Sequence, residues 1–182
     1  MAGRVEKSTP VEGDAVRVIV DQWQVRLPDL DPSPMLVLGR IQRLAAVCDP
    51  ILRSPFAAAG LASGDFDALA ALRRSGPPHA LSNNELAQAM LVTPGAVTKR
   101  IDRLVAAGLV TRARAPEDAR GRVVTLTRAG RRLTDKLIRT HVANEAAILA
   151  GLDDGEQRQL GALLGKLLAS VETAPGAARH PR

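Results

Sequence analysis

With 182 residues the chain has the length of one ordinary domain, or of one domain with an extra terminal element. A composition of 46% hydrophobic and 24% charged residues excludes a fully disordered chain, a collagen and a membrane bundle. Trp23, Phe56 and Phe66 are the whole aromatic complement, so the platforms that stack single-stranded bases are missing and the core must be aliphatic. The formal charge of +6 is unevenly placed: residues 93–132 hold ten basic and three acidic side chains, a net +7, which leaves −1 for the remainder. Charge confined in this way is the footprint of a polyanion-binding surface, with nucleic acid the first candidate. Of the 25 basic residues 21 are Arg, whose planar fork suits phosphate and guanine, although arginine richness can equally reflect genome composition.

No apolar run follows the N-terminal charges, and nowhere do about 18 uninterrupted apolar residues occur, so a cytoplasmic protein without membrane contact is expected. Residues 1–10 read as disordered. Residues 11–27 read as an amphipathic helix carrying Val16, Ile19, Val20 and Trp23, ended by the prolines of LPDLDPSP. Ser33 suits an N-cap and Pro34 a first helical position for a second helix over 33–54, in which Leu38, Ile41, Leu44, Cys48 and Leu52 share a face. The single cysteine, Cys48, excludes an internal disulfide and reads as a small helical core residue, with a redox role the alternative. SPFAAAGLAS should interrupt that helix. Ser63 then opens a shorter one with Phe66, Leu69 and Leu72, stopped by Gly76 and the prolines after it.

The centre of the chain is the informative part. Ser82 and Glu85 have capping-box spacing at the head of LSNNELAQAMLV, where Leu86, Ala87, Met90 and Leu91 supply the apolar side. In TPGAVTKRIDRLVAAGL, Thr93 can cap, Pro94 is pre-set for the first turn, Val97, Ile101, Leu104 and Val105 form the stripe, and Gly108 stops the helix. Two helices joined by so few residues, the second presenting Thr98, Lys99 and Arg103 away from its stripe, match a helix-turn-helix. LVTRARA and RVVTLT then read as two strands around the turn PEDARG, a winged hairpin with Arg120 and Arg122 near its tip. Thr127 caps a helix to about residue 150, and Asp153 begins another in which Leu160, Leu163, Leu164, Leu167, Leu168 and Val171 crowd one side. Residues 173–182 read as a disordered tail.

From residue 81 to 130 this order resembles the winged helix-turn-helix of the MarR family of bacterial transcription regulators. The likeness rests on the recognition helix running into GLV, on Asp118 and Arg120 in the wing, and on Leu126, Thr127 and Gly130. Ala115 and Ala119 stand where many relatives carry an Asp and an Arg. The resemblance covers nearly all of 33–172. It implies a mainly α fold with a small β-hairpin wing, a winged core over about 63–128, and dimerisation helices at both ends, 33–54 and 127–172. Residues 11–32 form an additional N-terminal helix and linker. It further implies a homodimeric repressor on a pseudo-palindromic double-stranded operator, with Thr93, Gly95, Ala96, Thr98, Lys99, Arg103, Asp118, Arg120 and Arg122 at the DNA. Among these, Thr98 and Arg103 are the expected base readers and Lys99 a phosphate contact.

The N-terminal run VDQWQVRLPDLDPSPMLVLGRIQRLA and GDFDALAALRRSGPPHALS look like the branch of that family that answers to anionic metabolites such as urate or small tricarboxylates. Carried over, its effector residues are Trp23, Asp67, Arg100 and Arg112. Guanidinium groups bind such anions bidentately and an indole offers a flat face with one N–H. Read from residue types alone, a lone Trp is a core residue and an Asp with an Arg a structural ion pair. An enzyme lacks the means: His79, His141 and His180 are the only histidines, there is no tyrosine and no phosphate loop, and no catalytic residue, metal or cofactor is assigned. A non-specific architectural binder and a winged protein-interaction module are the remaining alternatives, distinguished from a regulator by preference for a palindrome.

Overall fold

The computed structural model describes residues 13–114 and 122–173. The expected disordered ends, and the wing-turn calls on Glu117, Asp118, Ala119 and Arg120, lie outside the described residues. The described chain is mostly helical and falls into two compact units divided after Ile51.

The first unit holds helix α1 (Ala15–Arg26) and most of α2 (Pro34–Ala58). Asp14 caps α1, its carboxylate accepting from the Val16 and Arg17 amides at 3.1 and 3.3 Å. The same carboxylate receives Arg40 of α2 at 2.5 and 3.1 Å, and this bond holds the Asp14 pKa below the ordinary range. α1 lies close on α2 at Gly39, where a Cβ would meet Val16 Cγ1 at 2.9 Å. Of the expected apolar side of α1 only Val20 is buried, while Ile19 and Trp23 stay nearly half exposed. α2 buries no residue fully, and Cys48 is half-buried.

α2 departs from expectation at both ends. The Ser33 hydroxyl donates to Asp31 at 3.0 Å rather than capping the helix. The helix also continues through Ser54 and Pro55 to Ala58. A proline here removes one backbone donor without preventing the next turn, since Pro55 still accepts from Ala59 at 3.2 Å. Phe56 stacks on Phe66 with centroids 4.0 Å apart, so the last turn is held by packing that no local pattern reveals.

The second unit contains α3 (Asp65–Arg74), β1 (Ala80–Ser82), α4 (Asn83–Ala89), α5 (Pro94–Ala106), β2 (Val110–Arg114), β3 (Arg122–Leu126), α6 (Arg128–Ile148), a 3-10 turn (Leu149–Gly151) and α7 (Asp154–Glu172). The strands form an antiparallel sheet in the order β1-β3-β2, with Val110 opposite Leu126 and Ser82 opposite Val123. The expected hairpin therefore has a third strand, too short at three residues to show a period of its own. Leu69, Leu72, Leu86, Ile101 and Leu104 are fully buried at the centre, joined by Val97, Val110 and Val124 from α5 and the sheet. Deleting any one of these leucines to alanine removes about 2–5 kcal/mol.

Caps, a close approach and an ion pair fix the ends of this core. The Thr127 hydroxyl donates toward the Gly108 and Leu109 carbonyls at 2.9 and 3.0 Å and accepts from the Gly130 amide at 3.0 Å, as its N-cap role predicts. A Cβ on Gly130 would run into the Leu109 carbonyl oxygen, so only glycine lets α6 approach the bend that precedes β2. Arg73 of α3 meets Asp135 of α6 at 2.7 Å and lowers the Asp135 pKa. Asp153 and Glu156 cap α7 reciprocally at 2.9 Å each. Its apolar side, with Leu160, Leu163, Leu164, Leu168 and Val171, is exposed in the single chain.

Candidate nucleic-acid interface

α4 and α5 are set by their own termini. The Ser82 amide donates to Glu85 Oε2 at 2.7 Å and the Glu85 amide donates to Ser82 Oγ at 3.2 Å, the expected capping box; the first bond pulls the Glu85 pKa down. At the other end of α4 the chain turns sharply. Leu91 adopts φ 55°, and the Val92 amide reaches back to the Ala87 carbonyl at 3.0 Å. Arg74 donates to the Ala89 carbonyl at 3.3 Å. α5 starts at Pro94, but the Thr93 hydroxyl makes no cap bond, contrary to its expected role; the proline removes one donor and the Ala96 amide bonds the Thr93 carbonyl at 3.0 Å.

On α5, Val97, Ile101 and Leu104 turn inward, and Thr93, Gly95, Thr98 and Lys99 are exposed with Ala96 half-buried. Arg103 goes elsewhere. Its Nη2 lies 2.5 Å from Asp65 Oδ1 and its Nε 3.2 Å from Oδ2. Asp65 is 3% exposed and also accepts the Ala62 amide at 3.0 Å. The carboxylate raises the Arg103 pKa above the ordinary arginine value, so the guanidinium stays charged and fixed on α3. Arg100, one turn earlier, lays its guanidinium against Gly64 at φ 79°, where a Cβ would have to displace it. Two arginines of the same helix thus converge on the two residues that open α3. The local signal for Gly64 and Asp65 is only a Gly-Asp pair at a helix start, and the Ser63 hydroxyl, the expected opener of the helix, accepts from Arg53 instead.

The four expected effector residues divide between the units: Trp23 lies in the first, Asp67, Arg100 and Arg112 in the second. Arg112 Nη1 meets Asp102 at 2.7 Å, an ion pair between β2 and α5. Asp67 is exposed on α3 and, among the described residues, has no ion-pair or hydrogen-bond partner. Arg100 is half-buried and likewise carries no ion pair among the described residues. Arg122 is exposed at the start of β3.

A capped helix, a tight turn, a second helix with a buried stripe and an exposed polar side, and a three-stranded sheet behind it define a winged helix-turn-helix. The profile of the MarR family matches residues 59–121. The HTH-type transcriptional regulator PecS of Dickeya dadantii (strain 3937) is 38% identical over 149 residues, covering 82% of this chain and 90% of PecS. Sco3205 of Streptomyces coelicolor, a MarR family regulator solved in complex with DNA, is similar in structure with a TM-score of 0.72 and 25% identity, over 84% of this chain and 94% of Sco3205. BpsR of Bordetella bronchiseptica, whose DNA binding is regulated by 6-hydroxynicotinic acid, has a TM-score of 0.63 and 26% identity, over 72% and 98% of the two chains. The chain belongs to the MarR family of DNA-binding transcriptional regulators, and the family acts in transcription control rather than catalysis.

Proposed function

We propose that the chain is a homodimeric repressor that reads a pseudo-palindromic operator with α5 and is released by a small anion. The observation that carries the DNA reading is the exposed Thr98 and Lys99 on the first half of α5, opposite the buried Val97, Ile101 and Leu104 and inside the segment of net +7; Val105, the fourth residue of the expected stripe, is exposed. Thr98 reads base edges, Lys99 holds phosphate, and Arg120 and Arg122 extend the contact through the wing. Arg103 braces α5 from behind instead of reading a base, because its fork is already filled by Asp65. Dimerisation covers the apolar sides of α2 and α7, where Leu38, Leu44, Leu163 and Leu168 each keep more than half their surface exposed in the single chain.

Arg100, half-buried and without an ion pair among the described residues, supports an anionic effector in contact with Asp67, Arg100 and Arg112 of the second unit, where the exposed Asp67 accepts from an effector N–H. To lower operator affinity about 100-fold, the effector must favour the DNA-free form by about 2.7 kcal/mol, and operator must weaken effector binding equally. The test is selection of duplexes from a random library by the purified chain, followed by titration of the selected duplex with citrate, urate and 6-hydroxynicotinate. The reading expects an inverted repeat with half-sites about one helical turn apart. Recovery of unrelated sequences, or a monomer on the selected duplex, overturns it.

A further inference from the structure

Among the described residues two non-glycines have positive φ, His79 and Leu91. His79 is held there by the sheet: its amide donates to the Gly76 carbonyl at 2.5 Å and its carbonyl accepts from Leu126 at 3.0 Å. Leu91 is different. The turn after α4 accounts for its backbone, since the Leu91 amide bonds the Gln88 carbonyl at 3.2 Å and the Val92 amide bonds Ala87. That position takes glycine or asparagine without strain, and nothing in the turn asks for leucine. The side chain gains no packing in compensation: it is 81% exposed, the most exposed large hydrophobic residue among those described. A strained backbone and a solvated isobutyl group are both unfavourable in the free protein, so the residue earns its place in another state.

Its position says which. Leu91 stands three residues before Pro94, the first residue of α5, in the turn that leads to the exposed Thr93. In a helix-turn-helix this is the end of the second helix that approaches base edges. We propose that Leu91 is an apolar DNA-contact residue, packing its methyl groups on the hydrocarbon surface of the duplex beside the half-site, either a thymine 5-methyl or a deoxyribose face. The inference rests on the reading of α5 as the DNA-reading helix. It adds to the charged and hydroxyl contacts of that helix a contact whose strength does not depend on salt.

The experiment uses the full chain and a duplex selected by the wild type from a random library. Leu91→Gly removes strain and side chain together: its melting temperature rises or is unchanged, and its affinity for the selected duplex falls roughly five- to tenfold with an unaltered salt slope. Leu91→Asn, which also tolerates this φ but is polar, falls similarly, whereas Leu91→Met keeps affinity within about twofold. Replacing thymines by uracil around each half-site tells the two surfaces apart. If the partner is a thymine methyl, the substitution weakens the wild type and leaves Leu91→Gly unaffected; if it is deoxyribose, both proteins respond alike. Wild-type affinity in Leu91→Gly or Leu91→Asn overturns the proposal, as does an equal loss in Leu91→Met. Should the wild type select no preferred duplex at all, the DNA reading itself fails, and that outcome is distinct because it is seen before any Leu91 variant is made.

Discussion

Arg103 and Asp65 meet in a two-point contact between α5 and the head of α3, with the carboxylate almost wholly enclosed and the guanidinium partly in solvent. The two partners are therefore unequal. Removing Arg103 leaves a buried charge with one amide for company, while removing Asp65 leaves an arginine that can swing into water. Arg103→Ala lowers the melting temperature more than Asp65→Ala, and the double variant recovers part of the loss. Equal effects of the two single variants, in a thermal-melt cycle, would contradict this account of the pair.

Lys99 is exposed on α5 and tied to no other side chain among the described residues, so it is available to phosphate. Lys99→Ala weakens selected and random duplexes by the same factor and reduces the salt slope by about one per subunit. Thr98→Ala acts on the selected duplex alone. Binding isotherms at several salt concentrations separate these outcomes.

At Gly130 the constraint is steric. Gly130→Ala forces its methyl toward the Leu109 carbonyl and disturbs the Thr127 cap at the same time, and a loss of about 1–3 kcal/mol follows. Urea unfolding measures it. Gly165→Ala on α7, where an added Cβ meets nothing within 4 Å, is the matched control and is neutral or stabilising.

The Ser82 amide holds the Glu85 carboxylate ionised below the usual glutamate range. Because the folded-state pKa is depressed, the charged cap contributes fully at neutral pH and is lost as pH falls through that value. Glu85→Gln, which can still accept through its amide oxygen, is about 0.5–1 kcal/mol less stable at pH 7. The difference from the wild type closes in acid. A gap that widens as pH falls would show that the carboxylate is not the cap's working form.

Much of the arrangement was legible in the residues because local chemistry sets it. Ser82 with Glu85, Thr127 and Asp153 mark helix starts through bonds made within three or four residues, Pro94 does so through its fixed φ, and the alternation of Val124 and Leu126 with their neighbours marks β3. What stayed hidden depends on distant partners. The extension of α2 past Pro55 is held by Phe66, β1 exists only through β3, and the fate of Arg103 was decided by Asp65, 38 positions earlier. Spacing on one helix placed Arg103 on the polar side correctly but could not say that a buried carboxylate waited there.

Ser82 belongs to two structures at once: it is the last residue of β1, opposite Val123 in the wing, and the cap of α4. No spacer separates them. The wing and the helix pair are in consequence one lever with a common fulcrum, and a displacement of β3 is passed to the base of α4 without slack. A residue inserted after Leu81 would force a choice between strand register and helix start, so this junction admits substitutions far more readily than changes in length. The spacing between α4 and the sheet is thereby set like the gap of a calliper, and it cannot be retuned from one side alone.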